Sequence, residues 1–208
     1  MKTLIAAAAL AALSATGAFA QDASMSFFVT SANPGKGGDL GGLAGADAYC
    51  DQLATAAGST GKTWKAYLST DAENARDRIG AGPWMNAKGV KIADDVANLH
   101  SDANNITKET ALDEKGNVIK GRGDEPNQHD ILTGSDAQGM KVADASCGNW
   151  TMGGAEGAAA VGHSDRKGPE TLPTGTSWNA AHNSRGGCSM EAFKGTGGAG
   201  MFYCFAAN

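Results

Sequence analysis

Gly200-Met201-Phe202-Tyr203-Cys204-Phe205-Ala206-Ala207-Asn208 ends a sequence of 208 residues. Its core, Phe202 to Ala206, is aromatic-rich and reads as a strand central to its sheet. Cys204 is one of three cysteines in the stretch from Cys147 to Asn208, with Cys147 and Cys188, while the fourth, Cys50, lies far upstream. Gly45 to Ala57 reads as a helix in which Ala46, Tyr49, Cys50, Leu53, Ala54 and Ala57 recur at three and four residues. Cys50 therefore faces the core, where a bridge to a central strand would have to start.

Residues 1–20 carry a Lys near the start, an apolar run through Leu13 and an Ala18-Phe19-Ala20 end, the order of a secretory signal peptide cleaved after Ala20. A single domain is expected over residues 21–208, secreted or periplasmic, with no membrane span. In such a compartment four cysteines without a Cys-x-x-Cys pair favour two disulfides over a metal site. Three pairings are open at this point. A Cys50–Cys204 bridge would close a very long loop, Cys147–Cys188 a moderate one.

The formal net charge of −5 argues against nucleic acid or a polyanionic glycan as the main partner. A 41% hydrophobic composition with 30 glycines points to a genuine core surrounded by much loop. Met25 to Thr30 reads as a first strand and Thr63 to Ser69 as a second. Thr70-Asp71-Ala72-Glu73 has the form of a capping box opening a short helix with Ala72, Ala75 and Ile79 on its apolar face. This order gives an α+β domain rather than a repeated βαβ fold. From about residue 80 to 130 periodicity weakens, and an ordered loop region with brief strands, pinned on the core, is expected. Thr151 to Thr176 reads as a second loop rich in Gly, Ala and Pro.

Trp64-Lys65-Ala66-Tyr67-Leu68-Ser69, Leu132 to Gly139, Cys147-Gly148-Asn149-Trp150, Cys188 and Phe202-Tyr203-Cys204 together resemble, in order, signature segments of the endostatin-like branch of the C-type-lectin-like fold, including its bacterial exported members. The resemblance spans most of Phe27 to Ala206. It implies two helices flanking a small, twisted, mostly antiparallel sheet with long loop insertions, and the pairings Cys50–Cys204 and Cys147–Cys188.

In sugar-binding C-type lectins a Glu-Pro-Asn and a Trp-Asn-Asp supply oxygens to calcium. Here Glu125-Pro126-Asn127 and Trp178-Asn179 are the counterparts, making Glu125, Asn127 and Asn179 the calcium candidates. Ala180 stands where that pattern has Asp, which removes a carboxylate, so a chance tripeptide in an acidic loop is the weightier reading. Other carboxylates of the region, Asp94, Asp95, Asp102, Asp113, Glu114, Asp124 and Asp130, lack EF-hand spacing and read mainly as solvated surface. Trp84, after Gly82-Pro83, is the candidate exposed recognition aromatic.

Four histidines, His100, His129, His163 and His182, lie in loop-like stretches. His129-Asp130 and His163-Ser164-Asp165 suggest acid–base or metal chemistry. Neighbours on an extended chain point to opposite faces, however, so adjacency is poor support for a dyad. With neither Gly-x-Ser-x-Gly nor His-Glu-x-x-His, a non-enzymatic recognition domain is expected, binding a glycan or protein at the cell surface through its long loops. The alternatives are a metal-assisted hydrolase on the same loops and a purely structural envelope protein.

Overall fold

The computed structural model describes residues 24–169, 171 and 174–208. The signal peptide expected over 1–20 lies outside them. The fold is α+β, built around β8 (Gly198–Ala206), a nine-residue strand hydrogen-bonded on both edges. On one edge it pairs antiparallel with β1 (Phe27–Val29). On the other it pairs antiparallel with β2 (Trp64–Ala66) toward its C-terminal end and, earlier along the strand, runs parallel to β5 (Asp130–Leu132), which continues antiparallel through β6 (Ala160–His163) to β7 (His182–Asn183). The sheet is thus mostly antiparallel.

Side chains alternate across a strand, and β8 uses both faces. Phe202, Cys204 and Ala206 enter a core with Phe28, Trp64, Leu132, Val161 and the buried face of α1 (Gly42–Ala56). Met201, Tyr203 and Phe205 enter a second core with Phe27, Tyr67, Trp84, Ile92, Leu99, Ile106, Ile119 and Trp178. The 80–130 region is therefore the second layer of the domain, not a projecting loop. As expected it carries brief elements, β3 (Trp84–Met85), β4 (Lys91–Ala93) and the turn-length α2 (Val96–Leu99), capped by the Asp95 carboxylate.

Both disulfides follow the pairing implied by the resemblance. Cys50 on the buried face of α1 bridges Cys204 on β8, and Cys147, opening the irregular turn α3 (Cys147–Trp150), bridges Cys188. Among the described residues no helix is long and apolar enough to cross a membrane.

Three local readings are corrected. The Thr70 hydroxyl accepts from the Glu73 amide at 3.1 Å, but the Glu73 carboxylate pairs with Arg78 at 2.8 Å, leaving half a capping box followed by one 3-10 turn, Ala75–Asp77. The loop read over Thr151 to Thr176 contains β6. Ala160-Val161-Gly162-His163 has little intrinsic strand preference and owes its conformation to flanking β5 and β7. Trp84 is 1% exposed, and its indole N–H donates to the Ala206 carbonyl, so it is a core residue and not a surface aromatic. A further helix, α4 (Met190–Thr196), is capped by Ser189 and packs against β8.

Candidate metal centre

Strand register assembles the site. Asp130 and His163 are direct partners across β5 and β6, and His182 is the partner of Val161, two residues before His163. Residues directly opposite share a face, as do residues two apart on a strand. Asp130, His163 and His182 therefore project from one face at the end of the sheet. His129 lies just outside β5, free of strand alternation, and its ring stacks on His163 with centroids 4.1 Å apart and planes 6° from parallel. This overturns the expectation that His129 and Asp130 would point apart.

Close backbone approach makes room for the cluster. Gly197, at φ +126°, ends α4 directly over Asp130; a Cβ there would come within 3.5 Å of the carboxylate oxygens. At Gly162 a side chain would overlap the Trp178 carbonyl, so only glycine lets the 175–178 loop close against β6 and reach His163.

His129, Asp130 and His163 offer ligand atoms that all lie within 4.8 Å of one another, and His182 stands beside them. His129 Nε2 and His163 Nε2 each lie 3.3 Å from Asp130 Oδ1, His182 Nε2 lies 3.7 Å from it, and the Nε2 atoms of His163 and His182 are 3.0 Å apart. The two 3.3 Å separations match the edges of a tetrahedron around zinc with bonds of about 2.0–2.1 Å, which measure about 3.3–3.4 Å; those of His182 do not.

The far nitrogen of each ring has an acceptor. His129 Nδ1 lies 2.9 Å from Asp165 Oδ1, His163 Nδ1 lies 2.6 Å from the Gly175 carbonyl, and His182 Nδ1 lies 3.1 Å from the Asn183 carbonyl. A proton on Nδ1 of a ring leaves its Nε2 lone pair free for a metal. Such outer partners fix the tautomer and orientation of metal-ligating histidines. Burial pushes the Asp165 carboxyl up, but hydrogen bonds from His129 and from the Arg122 and Lys167 amides outweigh it and hold Asp165 at about 2.

Asp130 is 3% exposed, and among the described residues neither of its side-chain oxygens makes a hydrogen bond; the imidazoles are near it but not aligned to donate. A buried carboxylate without partners is expensive, and a cation beside it resolves that cost. Imidazole nitrogens with one carboxylate oxygen, and no thiolate, suit zinc and neighbouring divalent transition metals better than calcium, which takes six to eight oxygens.

The site opens on a cleft of about 430 Å³ lined by Arg122, Asn127, His129, His163, Pro169, His182, Asn183, Arg185 and Thr196. His182, with 22% of its side chain exposed, is the member of the cluster nearest solvent.

Of the calcium candidates, Asn127 lines this cleft and Glu125 is exposed nearby. Asn179 lines a different cleft, and its amide donates to the Tyr67 hydroxyl and the Asp136 and Ala137 carbonyls. It braces the second core, apart from the histidines. The sequence signal for the centre was the two acid-flanked histidines, 129 and 163; His182 offered none.

No known protein family matches the chain, and no curated protein is detectably similar to it in sequence.

Proposed function

We propose that this protein is an exported recognition domain of the C-type-lectin-like class that binds a divalent transition metal, zinc foremost, through His129, Asp130 and His163, with His182 beside them at the mouth of the cleft. The observation that carries the reading is the gathering of His129 and His163 Nε2, with His182 beside them, around a buried carboxylate that makes no hydrogen bond among the described residues. The Cys50–Cys204 and Cys147–Cys188 pairing and the mostly antiparallel sheet support the C-type-lectin-like assignment. Two disulfides support an oxidising, extracytoplasmic location. His129, Asp130 and His163 leave a coordination position open toward the cleft, with His182 beside it. The chain has neither Gly-x-Ser-x-Gly nor His-Glu-x-x-His, which favours a binding domain over a hydrolase, and in this reading glycan or protein recognition is exercised at the metal-bearing cleft.

The test is metal titration of chelator-stripped, oxidised protein, followed by calorimetry and thermal unfolding. One equivalent of zinc should bind, and at a hundred times the dissociation constant it should add about 2.7 kcal/mol of stability. Calcium should do neither. Binding of calcium in preference to zinc, or zinc binding undiminished in a His129→Ala/His163→Ala variant, would sink the proposal.

A further inference from the structure

Resting on the metal reading, the geometry points to a small oxyanion, a carboxylate or phosphate group, as the ligand of the cleft, bound to the metal on the His182 side and clamped by Arg122 and Arg185.

Charge is the first ground. Neutral imidazoles, one carboxylate and a divalent ion leave the centre with one positive charge, and both cationic side chains lining the cleft add to it. No carboxylate is among the described lining residues. Of the nearby acids, Asp165 accepts from His129 and two backbone amides, Asp124 accepts from Lys108 at 2.6 Å, and Glu125 is exposed but is not among the lining residues. The field of the cleft is thus positive on a chain of net charge −5, which marks a local anion site.

The second ground is the state of the arginines. Arg122 and Arg185 are both exposed, and among the described residues neither guanidinium makes a hydrogen bond or ion pair, although the backbone amide of each is fixed, to Asp165 and Thr196 respectively. Anchored backbones with uncommitted guanidinium forks suit planar oxyanions, which arginine binds in bidentate fashion. By contrast Arg78 is spent on Asp47 and Glu73, and Arg166 on the Thr176 carbonyl and Asn104.

The third ground is access. Asp130 and His163 are at most 3% exposed, so a ligand reaches the metal only from the cleft, past the half-buried His182. Zinc held by three protein residues keeps a further coordination position for an outside ligand. A cleft of about 430 Å³ holds a small molecule or the end of a chain, not a folded surface.

The experiment uses the oxidised protein loaded with cobalt(II), whose visible spectrum reports coordination. Cobalt stoichiometry is measured first, then inorganic phosphate and acetate are titrated separately, with chloride holding ionic strength constant. Expected are a saturable spectral change with at least one oxyanion, and a dissociation constant raised about tenfold or more in Arg122→Gln and in Arg185→Gln, as for loss of a charge-assisted hydrogen bond. Lys36→Gln, a charge change away from the cleft, should have no effect. A response to phosphate alone assigns a phosphoryl ligand, and to acetate alone a carboxylate. Stoichiometric cobalt with no response to either anion, or a response unchanged in both arginine variants, overturns this inference and leaves the metal reading standing. Failure to bind cobalt or zinc overturns both.

Discussion

Asp130 and His163 are register partners across β5 and β6, and His163 Nε2 lies 3.3 Å from an Asp130 oxygen that has no hydrogen bond among the described residues. The sheet itself thus presses an uncompensated carboxylate against an imidazole, an arrangement that only a cation or protons can stabilise. Asp130→Asn separates the consequences. It should weaken zinc binding by about a hundredfold, in line with removal of an anionic ligand. It should leave the metal-stripped protein as stable as the parent or more so, since a buried charge has gone. Thermal unfolding with zinc and with chelator reads both; a stripped variant less stable than its parent would show that the carboxylate supports the fold without metal.

Asp165 lies behind the centre, touching His129 Nδ1 at 2.9 Å. Asp165→Asn keeps the shape but weakens orientation and basicity of the imidazole, and outer partners of this kind typically cost 10–100-fold in metal affinity. Calorimetry should show that loss with one-to-one stoichiometry intact. An unchanged affinity would remove His129 from the ligand set.

The disulfides differ in what they close. Cys50–Cys204 spans a sequence separation of 154 and Cys147–Cys188 one of 41. By chain entropy, removing the first pair costs about 5 kcal/mol and the second about 4 kcal/mol. Because Cys50–Cys204 also ties α1 to the central strand through the first core, Cys50→Ser should damage folding, and Glu125→Ala, on exposed chain, should not. Denaturant midpoints of oxidised variants check the order.

The fold was legible where the pattern is local. Phe202 to Ala206 announces a strand by composition, and the spacing of Ala46, Cys50 and Ala54 announces the buried face of a helix. β6 was hidden because Ala160-Val161-Gly162-His163 becomes a strand only between two others. The metal centre was hidden for a related reason. Its residues come from three strands, and what brings Asp130, His163 and His182 to one point is register, which no short stretch records. His129 adds its ring because it stands just off the strand, where alternation no longer applies. Trp84 misled because an aromatic after Gly-Pro in a polar region looks exposed, whereas that region is itself a core layer.

Trp84 then gives a prediction about stability rather than binding. Its ring meets Phe205 edge-on at 5.2 Å, and its N–H satisfies the Ala206 carbonyl. Trp84→Ala should cost about 3–5 kcal/mol from the cavity and leave the zinc affinity of the remaining folded protein unchanged. Lost affinity with undiminished stability would return Trp84 to the recognition surface.

His100 supplies the pH dependence. Its Nε2 meets the Tyr67 hydroxyl at 2.7 Å and its Nδ1 the Val96 carbonyl at 2.7 Å, with the Trp178 ring alongside. Burial lowers its pKa most; the Val96 carbonyl opposes this, Arg76 lowers it further and Asp136 raises it. Burial also pushes the Tyr67 hydroxyl far up, so it remains a donor, and the neutral His100 ring is its acceptor. The folded value lies below the unfolded value of about 6.5, so as pH falls the unfolded chain takes up the proton first. The stability contributed by neutral His100 is complete above about pH 6.5 and lost as pH falls through the folded value. Comparison with His100→Gln cancels the other titrating groups: between pH 7 and 5 the parent should lose more stability than the variant. Equal losses, or an imidazole resonance that titrates at or above 6.5, would show His100 to be solvated rather than packed.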